Sequence, residues 1–213
     1  ETLDDKGKVL DVVEAKDKVL VITDKTPFYA ESGGQIGDKG LISGKGGEFV
    51  VETTEKAENV YLHIGSWKGA GRFKKGDEVV MTVDNPTRRA TMRNHTATHL
   101  LHKALQEILG DHVKQAGSLV NPERLRFDFT HFEAIGPETL EKIENRVNEQ
   151  ILAAHSVMVN ETSFDEAVKT GAMALFGEKY GDRVRIISVG NYSKELCGGT
   201  HIRNSAEIGL FSI

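Results

Sequence analysis

The hydrophobic pattern changes its period at Asn85-Pro86, and that change limits the chain to two kinds of structure joined in series. Before it, short β-branched runs recur: Val9-Leu10-Asp11-Val12-Val13, Val19-Leu20-Val21-Ile22, Phe49-Val50-Val51, Val60-Tyr61-Leu62-His63-Ile64 and Val79-Val80-Met81-Thr82-Val83. Charged or Gly- and Lys-rich turns separate them, which predicts a small barrel or sandwich. With 22 glycines against 4 prolines the chain has the residues such tight turns need. After the change, Asn85 reads as an N-cap and Pro86 as a first-turn residue. Ala97, Leu101, Ala104, Leu105 and Ile108 then recur at helical spacing as far as Gly110.

Beyond Gly110 two strands are predicted, about Val113 to Val120 and Leu125-Arg126-Phe127-Asp128-Phe129. Pro137 opens a second helix with Leu140, Ile143, Val147, Ile151 and Leu152 on one face. A strand follows near Val157-Met158-Val159. Ser163 with Glu166 three residues on reads as a capping box for a short helix, and Arg183 to Val189 as a strand. The expected class is α+β: a β-barrel-like domain over residues 1–84, then an α+β domain over 85–213 with two long helices packed on an antiparallel sheet.

The chemistry concentrates in two short segments. His95-Thr96-Ala97-Thr98-His99 places two imidazoles about 40° apart around a helix, so both can reach one ion. The apolar stripe of that helix lies roughly opposite. Cys197-Gly198-Gly199-Thr200-His201 offers a thiol and an imidazole four residues apart, and two glycines that let the backbone turn tightly around an ion. Three histidines and the chain's one cysteine suit tetrahedral zinc. Four protein ligands make a closed site, whereas catalysis needs an open or exchangeable position. His102 falls near the same helical face, as a rival ligand or, more often, an outer partner or a solvent-facing residue. His63, His112, His131 and His155 read as structural or exposed.

Other segments carry weaker signals. The Gly-rich loop Ser32-Gly33-Gly34-Gln35 presents amides able to meet a phosphate or ester oxygen, or is a plain hairpin loop. Gln115 beside Ala116-Gly117-Ser118 lines a pocket or a sheet edge. Gly177 to Asp182 is a polar turn. Lys74, Lys75, Arg88, Arg89, Arg93, Lys179, Arg183 and Arg185 are the local cations that would meet phosphates. The net charge of −5 runs against a nucleic acid held over a broad surface, but permits contact with the end of one. One cysteine excludes an internal disulfide and points to the cytoplasm. No apolar run has the length of a membrane span. The charged start without Met, and an end at Ile208 to Ile213 that reads as a strand stopping in mid-run, suggest a piece of a longer chain.

Asn94-His95-Thr96-Ala97-Thr98-His99-Leu100-Leu101-His102 and Cys197-Gly198-Gly199-Thr200-His201 resemble the paired zinc motifs of the alanyl-tRNA synthetase editing domain. Tyr29 to Gln35, Gln115 to Val120, Arg124 to Phe129 and Gly171 to Asp182 are similar to further blocks of that family, in its order. The zinc motifs alone also resemble the threonyl-tRNA synthetase editing domain and free-standing editing proteins; the longer blocks favour the bacterial-type alanyl family. The resemblance implies hydrolysis of Ser-tRNA(Ala) and Gly-tRNA(Ala) with Ala-tRNA(Ala) spared, in company with the other domains of a synthetase. It implies zinc on His95, His99, Cys197 and His201, with Gln115 placing substrate or water beside them. Ser32, Gly33, Gly34, Gln35, Gly198, Gly199 and Thr200 would face the aminoacyl end. The alternatives are a structural-zinc tRNA-binding module without turnover, a free-standing editing hydrolase, and a metallohydrolase acting on a small ester.

Overall fold

In the computed structural model, which describes residues 3–15, 18–173 and 181–213, the β-branched runs of the first half become six strands. They are β1 (Asp4–Ala15), β2 (Lys18–Thr23), β3 (Gly40–Gly44), β4 (Gly47–Ala57), β5 (Val60–Lys68) and β6 (Glu78–Val83). They pair antiparallel in the order β1-β2-β5-β4-β3-β6, and β6 returns to β1 through Asp4–Lys8 against Glu78–Thr82. That last ladder chooses a closed barrel over a sandwich and removes the free edges. Val9, Val21, Ile42, Phe49 and Met81 fill the interior. Hydrophobicity alone does not fix which residues point inward: in β6, Val79, Met81 and Val83 are buried while Val80 is exposed. The pleat of the closed sheet decides.

His63 sits inside this barrel. Its Nδ1 is 2.8 Å from the Val21 carbonyl and its Nε2 2.8 Å from Thr26 Oγ1, and its ring meets Phe28 edge to face. Burial lowers its pKa below 6.5, against the hydrogen bond to Val21, which raises it. A folded pKa below the unfolded one means that the unfolded chain takes up the proton first as pH falls. The contribution of neutral His63 is therefore present above pH 6.5 and lost below it, by at most about 1.4 kcal/mol per pH unit. Trp67, the one tryptophan, meets Phe49 and Phe73 edge to face and reports on the barrel. Urea midpoints from its fluorescence should fall between pH 7.5 and 5.5, and less so in His63→Phe. Equal falls in both proteins would contradict this.

The chain divides into two compact units: Glu1–Ser32 with Ile36–Arg89, and Gly33–Gln35 with Ala90–Ile213. The helix α1 (Asn85–Leu109) runs through both. Its N-cap is Asp84 and not Asn85, because Asp84 Oδ1 accepts from Thr87 N at 2.9 Å while Asp84 O accepts from Arg88 N. Pro86 has no N–H to be capped, so the carboxylate one residue earlier takes the first free donor. α1 ends at Gly110, whose φ is 116°.

In the second unit follow β7 (Gln115–Val120), β8 (Leu125–Phe129), α2 (Pro137–Leu152), β9 (Val157–Ser163), α3 (Phe164–Lys169), β10 (Arg183–Val189) and β11 (Ser193–Leu196). β7 and β8 form a hairpin; β11-β10-β9 form an antiparallel sheet. Leu100, Leu101, Ala104 and Leu105 of α1 share one core with Ile143, Val147 and Ile151 of α2. Leu152, read as part of that face, is 83% exposed at the helix end. Ser163 caps α3 by accepting from Glu166 N. The C-terminal run is not a strand. A 3-10 turn at Ser205–Ile208 has a capping box from Asn204 and Glu207, and Phe211 enters the core. The Asn148 amide bonds both Phe211 N and Phe211 O, so this backbone needs no strand partner. Among the described residues no helix is long and apolar enough to cross a membrane.

Candidate metal centre

Residues 95–102 of α1 are all buried, through two full turns. The imidazole face is therefore no solvent face opposite an apolar one. The apolar side enters the α2 core, and the other side is covered by the chain around 195–201. His95, His99, Cys197 and His201 come together there, each offering one ligand atom within 4.8 Å of the others. Cys197 Sγ lies 3.4 Å from His95 Nε2 and 3.4 Å from His201 Nε2, and accepts from Gly199 N at 3.4 Å.

The hydrogen atoms can be assigned from the outer partners. Gln35 Oε1 accepts from Thr200 N at 2.9 Å, which fixes the amide with oxygen inward. The same oxygen is 2.6 Å from His95 Nδ1, so that nitrogen carries the proton. Thr96 Oγ1 gives its one proton to Met92 O at 3.0 Å, and so accepts from His201 Nδ1 at 3.1 Å. His99 Nδ1 faces the carboxylate Oε2 of Glu195 at 3.3 Å. In each ring Nδ1–H points outward and the Nε2 lone pair is left for a metal, the tautomer metal-bound histidines generally show. The His99 approach is off the hydrogen-bond direction. Its Nδ1 is the one buried side-chain nitrogen or oxygen without a hydrogen-bond partner among the described residues.

Charge agrees with this. Burial, then repulsion by His99 and Arg185, holds His95 well below the usual imidazole range; burial, then His95, His99 and Arg185, does the same to His201. Burial lowers His99, which Glu195 opposes and His102 reinforces. All three are thus held neutral, the ligand form. The donor set fits a metal ion.

The glycines act otherwise than their spacing suggests. Neither Gly198 nor Gly199 has a positive φ. A Cβ at Gly199 would overlap the His95 ring and approach Gln35 Oε1 at 2.8 Å, whereas one at Gly198 would meet nothing within 4 Å. Gly199 is required by space, and Gly198 is the exposed point of the turn.

The loop residues divide. Gln35 is fully buried; besides His95 it donates to Thr200 Oγ1 at 2.9 Å and bridges to Val120. It and Thr200 are therefore engaged with each other. Gly34 lies so close to Ser118 that a side chain would overlap it. Gln115 Nε2 lies 3.3 Å from Ser118 Oγ, which lies 3.3 Å from Gly33 O, so Gln115 is connected to the loop that holds Gln35. Ser32 belongs to the first unit, exposed, its carbonyl accepting from the Tyr29 hydroxyl. His102 is no part of the four-ligand group.

Two of the cations are engaged inside the protein. Arg88 is buried, its Nε 2.8 and 2.9 Å from the two carboxylate oxygens of Asp38. Arg185 donates to Gly199 O. Lys179 and most of the Gly177 to Asp182 turn lie outside the described residues. Reading the sequence missed Glu195, buried beside His99 and His102. Its signal was the alternation Ser193, Glu195, which puts two polar residues on one face of a strand that leads directly to Cys197.

Residues 1–87 match a family described as tRNA synthetases class II (A), and residues 184–213 match the Threonyl and Alanyl tRNA synthetase second additional domain. The chain is 53% identical to the alanine–tRNA ligase of Halorhodospira halophila over 222 residues, 100% of this chain and 26% of that protein. It is 55% identical to the alanine–tRNA ligase of Pelotomaculum thermopropionicum over 208 residues, 97% of this chain and 24% of that protein. The corresponding Thermotoga petrophila protein is 51% identical over 222 residues, 100% and 26% of the two. The chain spans about a quarter of the length of these curated relatives.

Proposed function

The chain belongs to the alanyl-tRNA synthetase family, and from that premise we propose that it carries the family's editing activity: hydrolysis of the ester in tRNA(Ala) mischarged with serine or glycine. Residues 85–213 would hold the chemistry, acting with the remaining domains of a synthetase. The observation that carries this reading is the convergence of one ring nitrogen each from His95, His99 and His201 with Cys197 Sγ, all within 4.8 Å of one another, beside a turn exposed at Gly198.

We take the metal to be zinc. Three imidazoles and one thiolate are its usual donors, and a tetrahedral zinc puts sulfur and nitrogen roughly 3.6 Å apart, near the 3.4 Å separations here. When bound, a zinc ion would supply a positive centre able to orient and polarise an ester oxygen or a water. The protein's part is positional. Gln35 and Thr96 hold the rings of His95 and His201, and Glu195 faces that of His99. Gln115, connected through Ser118 to the Gly33 carbonyl, is the candidate for placing substrate or water. A site built to pair the serine hydroxyl would leave polar groups unpaired with alanine, so the correct product is spared. A cysteine reserved for metal suits the reducing cytoplasm.

One observation favours a second reading: all four ligand residues are buried and four ligands complete a tetrahedron, as in structural sites. The two readings separate in one assay, deacylation of Ser-tRNA(Ala) beside Ala-tRNA(Ala), with and without a zinc chelator. Editing predicts chelator-sensitive loss of serine with alanine retained. tRNA binding without turnover, at high protein concentration, would instead leave the structural role.

A further inference from the structure

The polar residues of α1 continue past the ligands. His95, His99, His102 and Gln106 follow one another at steps of four, three and four, so they share one helical face. Opposite them, Ser193 and Glu195 share one face of β11, and Cys197 follows at the same spacing one residue past its end. A four-residue helical step advances about 6 Å and a two-residue strand step about 6.6 Å, so the two rows stay nearly in step. His95 meets Cys197, while His99 and His102 both meet Glu195.

We propose that Glu195 is a positioning residue for the metal centre: one buried carboxylate bridges ligand His99 and non-ligand His102, and thereby fixes the ring and tautomer of His99. The hydrogen atoms leave little freedom. Gln106 Nε2 lies 3.2 Å from Val113 O, an acceptor only, so it is a donor, and at 3.3 Å it faces His102 Nε2. His102 Nε2 therefore accepts, and Nδ1–H donates to Glu195 Oε1 at 3.1 Å. Ser193 Oγ adds a contact to the same oxygen at 3.4 Å. Glu195 Oε2 remains for His99 Nδ1. The carboxylate thus receives a hydrogen bond from His102 and faces the His99 Nδ1–H at 3.3 Å, and it can present a donor to neither ring. A carboxylate facing Nδ1–H also strengthens the Nε2 donor toward a metal.

Glu195→Gln keeps the size but introduces an NH2 group that must face one of the two Nδ1–H groups. His102 cannot change tautomer without turning its Nε2–H onto the Gln106 donor. The conflict therefore falls on His99. Loss of an outer partner of this kind lowers metal affinity by roughly 10–100-fold.

The inference rests on the metal reading above but not on the editing reaction, and its test uses no tRNA. Zinc affinity of the chain and of Glu195→Gln is measured by competition with a chromophoric chelator, with thermal midpoints of both proteins in excess chelator. Affinity should fall 10–100-fold while the metal-free midpoint stays level or rises, because a buried charge has been removed. A merely structural role would lower the metal-free midpoint and leave the affinity of the folded protein unchanged, and would overturn the inference. If Glu195→Gln does not fold, His102→Phe decides. It packs in place of the ring against Phe127, removes one donor from Glu195, and should weaken zinc by a smaller factor. Unchanged affinity in that folded variant would equally overturn it. If neither the parent nor any variant binds zinc, the metal reading itself fails; if zinc binding follows this pattern but Ser-tRNA(Ala) is stable, only the editing reading fails.

Discussion

Gly199→Ala is expected to destroy the metal site, and Gly198→Ala, one residue away in the same turn, to leave metal affinity within a few-fold of the parent. The difference is spatial. A methyl at 199 would occupy the place of the His95 ring and press on Gln35 Oε1, and Gly198 has nothing near it. The turn cannot retreat freely, since Gly199 O is held by Arg185 and Gly199 N by Cys197 Sγ. Either His95 moves off its Nδ1 partner or the turn shifts Cys197; overpacking of this kind costs about 1–3 kcal/mol in strain before any ligand is lost. The expected fall in zinc affinity exceeds about a hundredfold, the upper end of what outer partners alone supply. Chelator competition on both variants measures it. Equal affinities, or a larger loss at Gly198, would refute the geometry.

Cys197→Ala should weaken zinc by more than about a hundredfold as well, and on the proposed reading should abolish chelator-sensitive deacylation of Ser-tRNA(Ala). It removes the one thiol of the chain, and with it the ligand that faces both His95 and His201. Three imidazoles remain, a set that still holds zinc elsewhere, so the spectrum of the cobalt-substituted protein is the sharper readout: thiolate-to-cobalt absorption should be present in the parent and absent in the variant. Unchanged zinc affinity, or a parent without that absorption, would remove Cys197 from the site.

The grouping of the four candidate ligands was legible because each pair is local: an i, i+4 spacing on a helix, and one turn holding the chain's lone cysteine. The barrel was legible as recurrent β-branched runs, but the choice against a sandwich was not, because it rests on β6 pairing with β1 some seventy residues away in sequence. The outer shell was read poorly for the same reason. Gln35 sat in a loop that suggested substrate contact, and only the fold places it against His95 and Thr200, 60 and 165 residues distant. Glu195 passed unnoticed because an acidic residue in a short strand usually faces water. The glycine pair was noticed for the wrong property, backbone freedom, when the requirement at Gly199 is the absence of volume.

His95 and Cys197 are 102 residues apart in the chain. Contacts of such sequence separation require prior closure of a long loop, and so belong to the late part of folding. The donor set is then complete only when the second unit has nearly reached its native arrangement, and before that an ion meets only the two local pairs, His95 with His99 and Cys197 with His201. Interactions absent from the folding transition state act on the reverse barrier. A metal held by these four residues therefore prolongs the life of the native state without hastening its formation: it is a lock on the finished domain and no template for building it.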